Sequence, residues 1–121
     1  MRGLTIILNG DDASNGIGLA FQMALVQIAL GQPMTLFVTG WAVRNIVMAS
    51  KSSGKGFLGI KVTPSLKQLL NDVLDGGGRL IVCQTRMTTG GWHFDALDSR
   101  IEAGGLVSIM QGLGDDRLVV I

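Results

Sequence analysis

The sequence predicts an α/β fold: three layers, α/β/α, around a mainly parallel sheet of about five strands. Three observations lead there. Short apolar runs rich in β-branched residues recur at 4–8, 34–39, 79–82 and 117–121, each bounded by turn residues. Stretches with helical spacing lie between them. Strands that alternate with helices build βαβ units, and their parallel strands are covered by helices on both faces. The 121 residues fit one domain, 1–121, with no internal repeat and no linker.

Taken in order, Leu4-Thr5-Ile6-Ile7-Leu8 reads as a strand buried on both faces and closed by the turn cluster Asn9-Gly10-Asp11-Asp12. Ser14 and Asn15 are N-cap candidates for a helix over 16–30. That helix is apolar nearly all round. Its interruptions, Gln22 and Gln27, lie five apart and build no wet face. Such a helix is expected to bury more than one side, against the sheet and against a neighbouring subunit or loop. Pro33 opens a second strand, 34–39, and Gly40-Trp41 leads into a short helix, 42–49, with Val43, Ile46 and Val47 at helical spacing. The polar stretch 50–59 reads as a surface loop. Thr63-Pro64-Ser65 starts a helix in which Leu66, Leu69, Leu70 and Val73 share one face. The third strand then carries Cys83 at its C-terminal end. Residues 85–92 read as a Gly/Thr-rich loop, 95–100 as a helical turn, and Ile101 as the start of a short extended piece. A helix over 106–113 precedes Asp115-Asp116, which turn the chain into the last strand.

Composition narrows the function classes. Net charge is +1 and only 16% of residues are charged, with no basic run. The electrostatic footprint of a nucleic-acid binder is missing. With 47% apolar residues, part of the surface is expected to be covered by other subunits, in a homo-oligomer. A single cysteine makes no internal disulfide, which points to a reducing, cytoplasmic compartment. The N-terminal apolar run is too short for an export signal, and no apolar run is long enough for a membrane span. No cofactor is expected, and His93, the only histidine, gives no basis for a metal site.

In an open parallel sheet, ligands bind outside the C-terminal ends of the strands. Cys83, Asn9-Gly10-Asp11-Asp12 and Thr39-Gly40-Trp41 all fall at such ends. A thiol acts as its thiolate, which a nearby cation or helix N-terminus favours. Arg86, three residues on, and the backbone N–H groups of Gln84 to Met87 are candidates for that role, and His93 is a third. Trp41 and Trp92, on loops after strands, are placed to roof the pocket or to anchor an interface. The ligand-contacting set around Cys83 and Arg86 is therefore Asn9, Asp11, Asp12, Gly40, Trp41, Gln84, Met87, Trp92 and His93. Two bland alternatives stand beside it. A free cysteine often serves as a small buried hydrophobe. Asp11 and Asp12 fit turn and capping chemistry better than acid–base work.

The segment Leu80-Ile81-Val82-Cys83-Gln84-Thr85-Arg86-Met87 resembles the cysteine-bearing segment of the DsrE/DsrF-like family, where an apolar strand runs into Cys-Gln-x-x-Met. Leu8-Asn9-Gly10-Asp11-Asp12, the stretch from Gly31 to Gly40, and Ile101-Glu102-Ala103-Gly104-Gly105-Leu106 resemble the family's other segments in the same order. The resemblance spans nearly the whole chain. It implies a three-layer fold, homo- or mixed oligomers, and a sulfur-relay role. In that role Cys83 carries a persulfide and exchanges it with protein donors and acceptors. The loop from Arg86 to Gly91 departs from the commoner variants, which bears on the choice of partner. A binding or assembly module of the same fold, with a silent cysteine, is the alternative.

Overall fold

The computed structural model describes residues 2–10, 16–51 and 64–121. Its elements are β1 (Leu4–Leu8), α1 (Gly16–Ala29), β2 (Met34–Val38), α2 (Ala42–Lys51), α3 (Pro64–Asp75), β3 (Arg79–Cys83), α4 (Gln84–Thr89), a 3-10 turn (Phe94–Ala96), β4 (Glu102–Gly104), α5 (Leu106–Gln111) and β5 (Arg117–Val120). The strands form one sheet in the order β4-β3-β2-β1-β5, and every pairing is parallel.

This order fixes the layers. From β1 through β4 each crossover moves to the next strand on the same side, and right-handed connections put the intervening helices on one face. The step from β4 to β5 returns past β1, so α5 lies on the opposite face. Side-chain parity agrees with this. Leu4, Ile6, Leu8, Met34, Leu36, Val38, Leu80 and Val82 share a large apolar cluster with Phe21 of α1, Ile46 of α2 and Leu70 of α3. The alternate residues Ile7, Phe37 and Ile81 form a small cluster with Ile109 of α5. All five β1 residues are buried, as expected for a strand covered on both faces.

On α1, Gln27 is buried, and both ends of its amide are bonded. Its Nε2 donates to the Pro33 carbonyl at 3.1 Å, and its Oε1 accepts from Arg117 at 2.9 Å. It ties the helix to the start of β2 and to β5, so a residue that looks like an interruption acts as a clamp.

Three expectations need correction. The stretch 85–92 is not all loop, since Gln84–Thr89 form α4. Consecutive threonines disguise this helix, because β-branched residues have low helix propensity. Here Thr88 Oγ1 donates to the Gln84 carbonyl at 3.1 Å and Thr89 Oγ1 to that of Thr85 at 2.8 Å, while Met87 is buried in the large core. The turn expected over 95–100 is a 3-10 turn over Phe94–Ala96. It is followed by a local turn in which Asp98 Oδ1 accepts from the Arg100 N–H at 2.9 Å. Ser50 and Lys51 close α2 rather than open a loop, and 52–63, with most of the expected loop and Thr63, lies outside the described residues. So do the proposed caps Ser14 and Asn15.

Candidate functional site

Because β1, β2 and β3 are adjacent and parallel, their C-terminal ends lie along one edge. Asn9 follows β1, Gly40 and Trp41 follow β2, and Cys83 is the last residue of β3.

Cys83 is a free, half-buried thiol. Its backbone is extended (φ −62°, ψ 114°), and it is the N-cap of α4 with no side-chain capping bond. At an N-cap the side chain stands next to first-turn N–H groups that have no intrahelical acceptor. The thiol packs against both apolar clusters, so it sits where the two layers of core run out. On one side lies an open, mostly polar groove of about 370 Å³, lined by Gln84, Thr85, Thr88, Thr89, Gly104 and Gly105. Two of its lining residues adjoin Cys83: Gln84 follows it in the chain, and Gly104 is its register partner on β4.

At the same edge of the sheet, five of the expected residues come together. Gly40 has a left-handed backbone (φ 61°), and a Cβ there would collide with Asn9 Oδ1. Only glycine lets the Asn9 side chain lie over this turn. The Gly40 carbonyl accepts from Arg86 Nε at 3.3 Å. The Arg86 guanidinium carbon lies 5.2 Å from the ring centre of Trp41 and 5.9 Å from that of Trp92. A planar cation with two indoles in range gains electrostatically from both ring faces. Trp92 is positioned by the end of α4: its N–H donates to the Met87 carbonyl at 3.0 Å, and its ring covers Gly90, where a Cβ would strike it. Among the described residues no carboxylate pairs with Arg86.

The other expected residues fall elsewhere. Met87 is buried in the large core and anchors α4 instead of facing a ligand. His93 is exposed at the start of the 3-10 turn, where its carbonyl accepts from Ala96 at 3.0 Å. Asp11 and Asp12 lie outside the described residues. Among the described residues no group of His, Cys, Asp and Glu is arranged to hold a metal ion, and no helix is long and apolar enough to cross a membrane.

Two features were missed from sequence. One is the Trp41–Arg86–Trp92 stack; its only signal was that each tryptophan directly follows glycine after a secondary element. The other is a polar pocket of about 230 Å³ under α5, with Thr5, Thr35, Arg79, Glu102 and Asp116 in its walls. Of its two carboxylates, Asp116 accepts from the Gly3 N–H and from Thr5 Oγ1, both at 3.1 Å, and Glu102 pairs with Arg79. Threonines at matching positions of β1 and β2 were the available sign.

The fold is similar to that of the ychN protein from E. coli, with a TM-score of 0.78, 21% identity and full coverage of both chains. It is also similar to BT1422 from Bacteroides thetaiotaomicron, described as a conserved protein of unknown function. That match has a TM-score of 0.73 and 14% identity, and covers 99% of this chain and 95% of the other. At these identities the likeness is one of fold. No protein-family model matches the chain, and no curated protein matches it.

Proposed function

We propose that this chain is a sulfur-relay protein that carries persulfide sulfur on Cys83 and passes it to a partner protein. The observation that carries the reading is the position of the thiol. It is free and half-buried, ends β3, caps α4, and adjoins in chain and register two residues, Gln84 and Gly104, that line an open polar groove. The ordered resemblance of the cysteine segment and its flanking segments to the DsrE/DsrF-like family supports it.

The chemistry is thiol–persulfide exchange. The Cys83 thiolate attacks the outer sulfur of a donor R–S–SH. The donor S–S bond breaks, R–S⁻ leaves, and Cys83–S–SH forms. An acceptor thiolate then attacks that outer sulfur, the new S–S bond breaks, and Cys83 returns as thiolate while the acceptor holds the persulfide. No net oxidation occurs, so no cofactor is needed. The first-turn N–H groups of α4, beside which Cys83 stands as N-cap, supply positive potential for the anionic sulfur species. In this reading the protein works in a reducing, cytoplasmic compartment and as a homo-oligomer.

Intact-mass measurement after treatment with a persulfide donor tests the proposal. The wild type is expected to gain one sulfur atom, to lose it to an added acceptor thiol, and Cys83→Ser to gain none. A second reading, an assembly module with a silent cysteine, is favoured by the contact of Cys83 with both apolar clusters. That reading predicts no sulfur uptake, and labelling by a thiol reagent that is slow when native and fast when unfolded.

A further inference from the structure

The two edges of the sheet differ. β4 is three residues long and carries Glu102, which pairs with Arg79 at 2.8 Å. A short, charged edge resists pairing with another strand. β5, at the other edge, presents Leu118 and Val120, which are 40% and 65% exposed. Its one charged residue, Arg117, is turned to Gln27 at 2.9 Å and Gln32 at 3.3 Å. Seven of the eleven large apolar side chains exposed among the described residues belong to β5, to α1 on one face, or to α5 on the other, and an eighth, Leu30, directly follows α1.

We infer that β5 is a pairing edge for a second copy of this chain, with the two β5 strands antiparallel about a two-fold axis at Val119. The backbone selects that register. The N–H groups of Arg117 and Ile121 donate to the carbonyls of Gly3 and Ile7 on the β1 side, at 3.0 and 2.8 Å. In a parallel strand the alternate residues face the other way, so the N–H and C=O groups of Leu118 and Val120 point outward. An axis at Val119 sets Leu118 against Val120 of the other copy, and both outward residues bond at once. Each Arg117 lies two residues from the axis, so the two like charges are about 13 Å apart.

The apolar flank fits the same occupant. Leu19, Met23 and Val26 recur at helical spacing along the outer side of α1, Leu30 follows just past its end, and with β5 they line a groove of about 550 Å³. A two-fold axis normal to the sheet brings the α1 of one copy beside that of the other, stripe against stripe. A single patch that matches itself in hydrogen bonding, charge and apolarity is what a closed two-fold contact requires. The inference does not rest on sulfur chemistry.

Mass measurement by light scattering on the full chain, beside two variants, tests it. Val120→Lys changes an exposed side chain, so the fold is retained, which circular dichroism checks. Val119→Cys in a Cys83→Ser background places two thiols at the axis, where the non-hydrogen-bonded pair has Cα atoms about 4.5 Å apart, within disulfide range. The wild type is expected at an even multiple of 12.8 kDa, and Val120→Lys at half that mass. Val119→Cys is expected to form a disulfide-linked dimer faster than Ala103→Cys on the β4 edge in the same background. A monomeric wild type, which would leave the edge to another protein's strand, overturns the inference. So does a mass unchanged by Val120→Lys, or cross-linking no faster than at Ala103.

Discussion

Replacing Arg86 with leucine removes three interactions at once, and the structure sets their size. The guanidinium carbon is 5.2 Å from the Trp41 ring centre and 5.9 Å from that of Trp92. Trp41 is 55% exposed, which puts its cation–π contact near the low end, about 0.5 kcal/mol. Trp92 is half-buried, and its contact contributes about 1 kcal/mol. The Nε bond to the Gly40 carbonyl is long, 3.3 Å, and adds about 0.5 kcal/mol. Arg86→Leu is therefore expected to cost about 2 kcal/mol, and Arg86→Lys to recover less than half, since an ammonium keeps the charge but loses the planar face. Urea unfolding followed by tryptophan fluorescence measures this directly. The chain has two tryptophans, and both flank Arg86, so the native signal itself reports the stack. A double-mutant cycle with Trp92→Leu isolates the pair and is expected to give about 1 kcal/mol of coupling. Coupling below about 0.3 kcal/mol, or an Arg86→Leu protein as stable as the wild type, would refute the reasoning.

Two further outcomes follow from single residues. Gly40→Ala forces a left-handed side-chain-bearing residue (φ 61°) and drives its Cβ into Asn9, so it is expected to cost about 1–2 kcal/mol and to shift Trp41 fluorescence. The Asp98 carboxyl is held down to about 2, first by hydrogen bonds from the Arg100 side chain and then by the Arg100 backbone N–H. A depressed folded value means the stabilisation is present above the unfolded value of about 4 and is lost as pH falls toward 2. Thermal melts between those limits are expected to show a shallower loss in Asp98→Asn than in the wild type. Because the pair is partly exposed, added salt narrows the difference.

Strands β1, β2, β3 and β5 were legible because each is a short apolar run between turn residues, and β1 and β2, buried almost throughout, leave little choice of structure. By contrast β4, Glu-Ala-Gly, showed only as a short extended piece after Ile101. The alternation with helices gave a mainly parallel sheet; that every pairing is parallel, and the order of the strands, come from the structure. The helix after Cys83 was not legible, because two threonines argue against it locally. What forms it is burial of Met87 and back-bonding of Thr88 and Thr89, and both depend on where the chain emerges from β3. The same holds for Arg86. Its distance from Cys83 in sequence suggests a partner for the sulfur. Its observed hydrogen bond goes to Gly40, on a different strand end, 46 residues away. No local pattern encodes a contact of that kind.

One-residue parity decides whether the thiol can be reached. Residues 80 and 82 of β3 face α1, α2 and α3, and both are fully buried. Residues 79, 81 and 83 face the side on which, among the described residues, α5 is the one helix packed. Moved back by one residue, Cys83 would take the place of Val82, which has no exposed surface, and would serve as a small hydrophobe in the core. At 83 it stands on the thinly covered face and at the last rung of the ladder, opposite Gly104, which carries no side chain to cover it. The right-handed crossovers stack α1, α2 and α3 on one face, and among the described residues α5 is the one helix packed on the other, so Cys83 ends half-buried where Val82 is sealed.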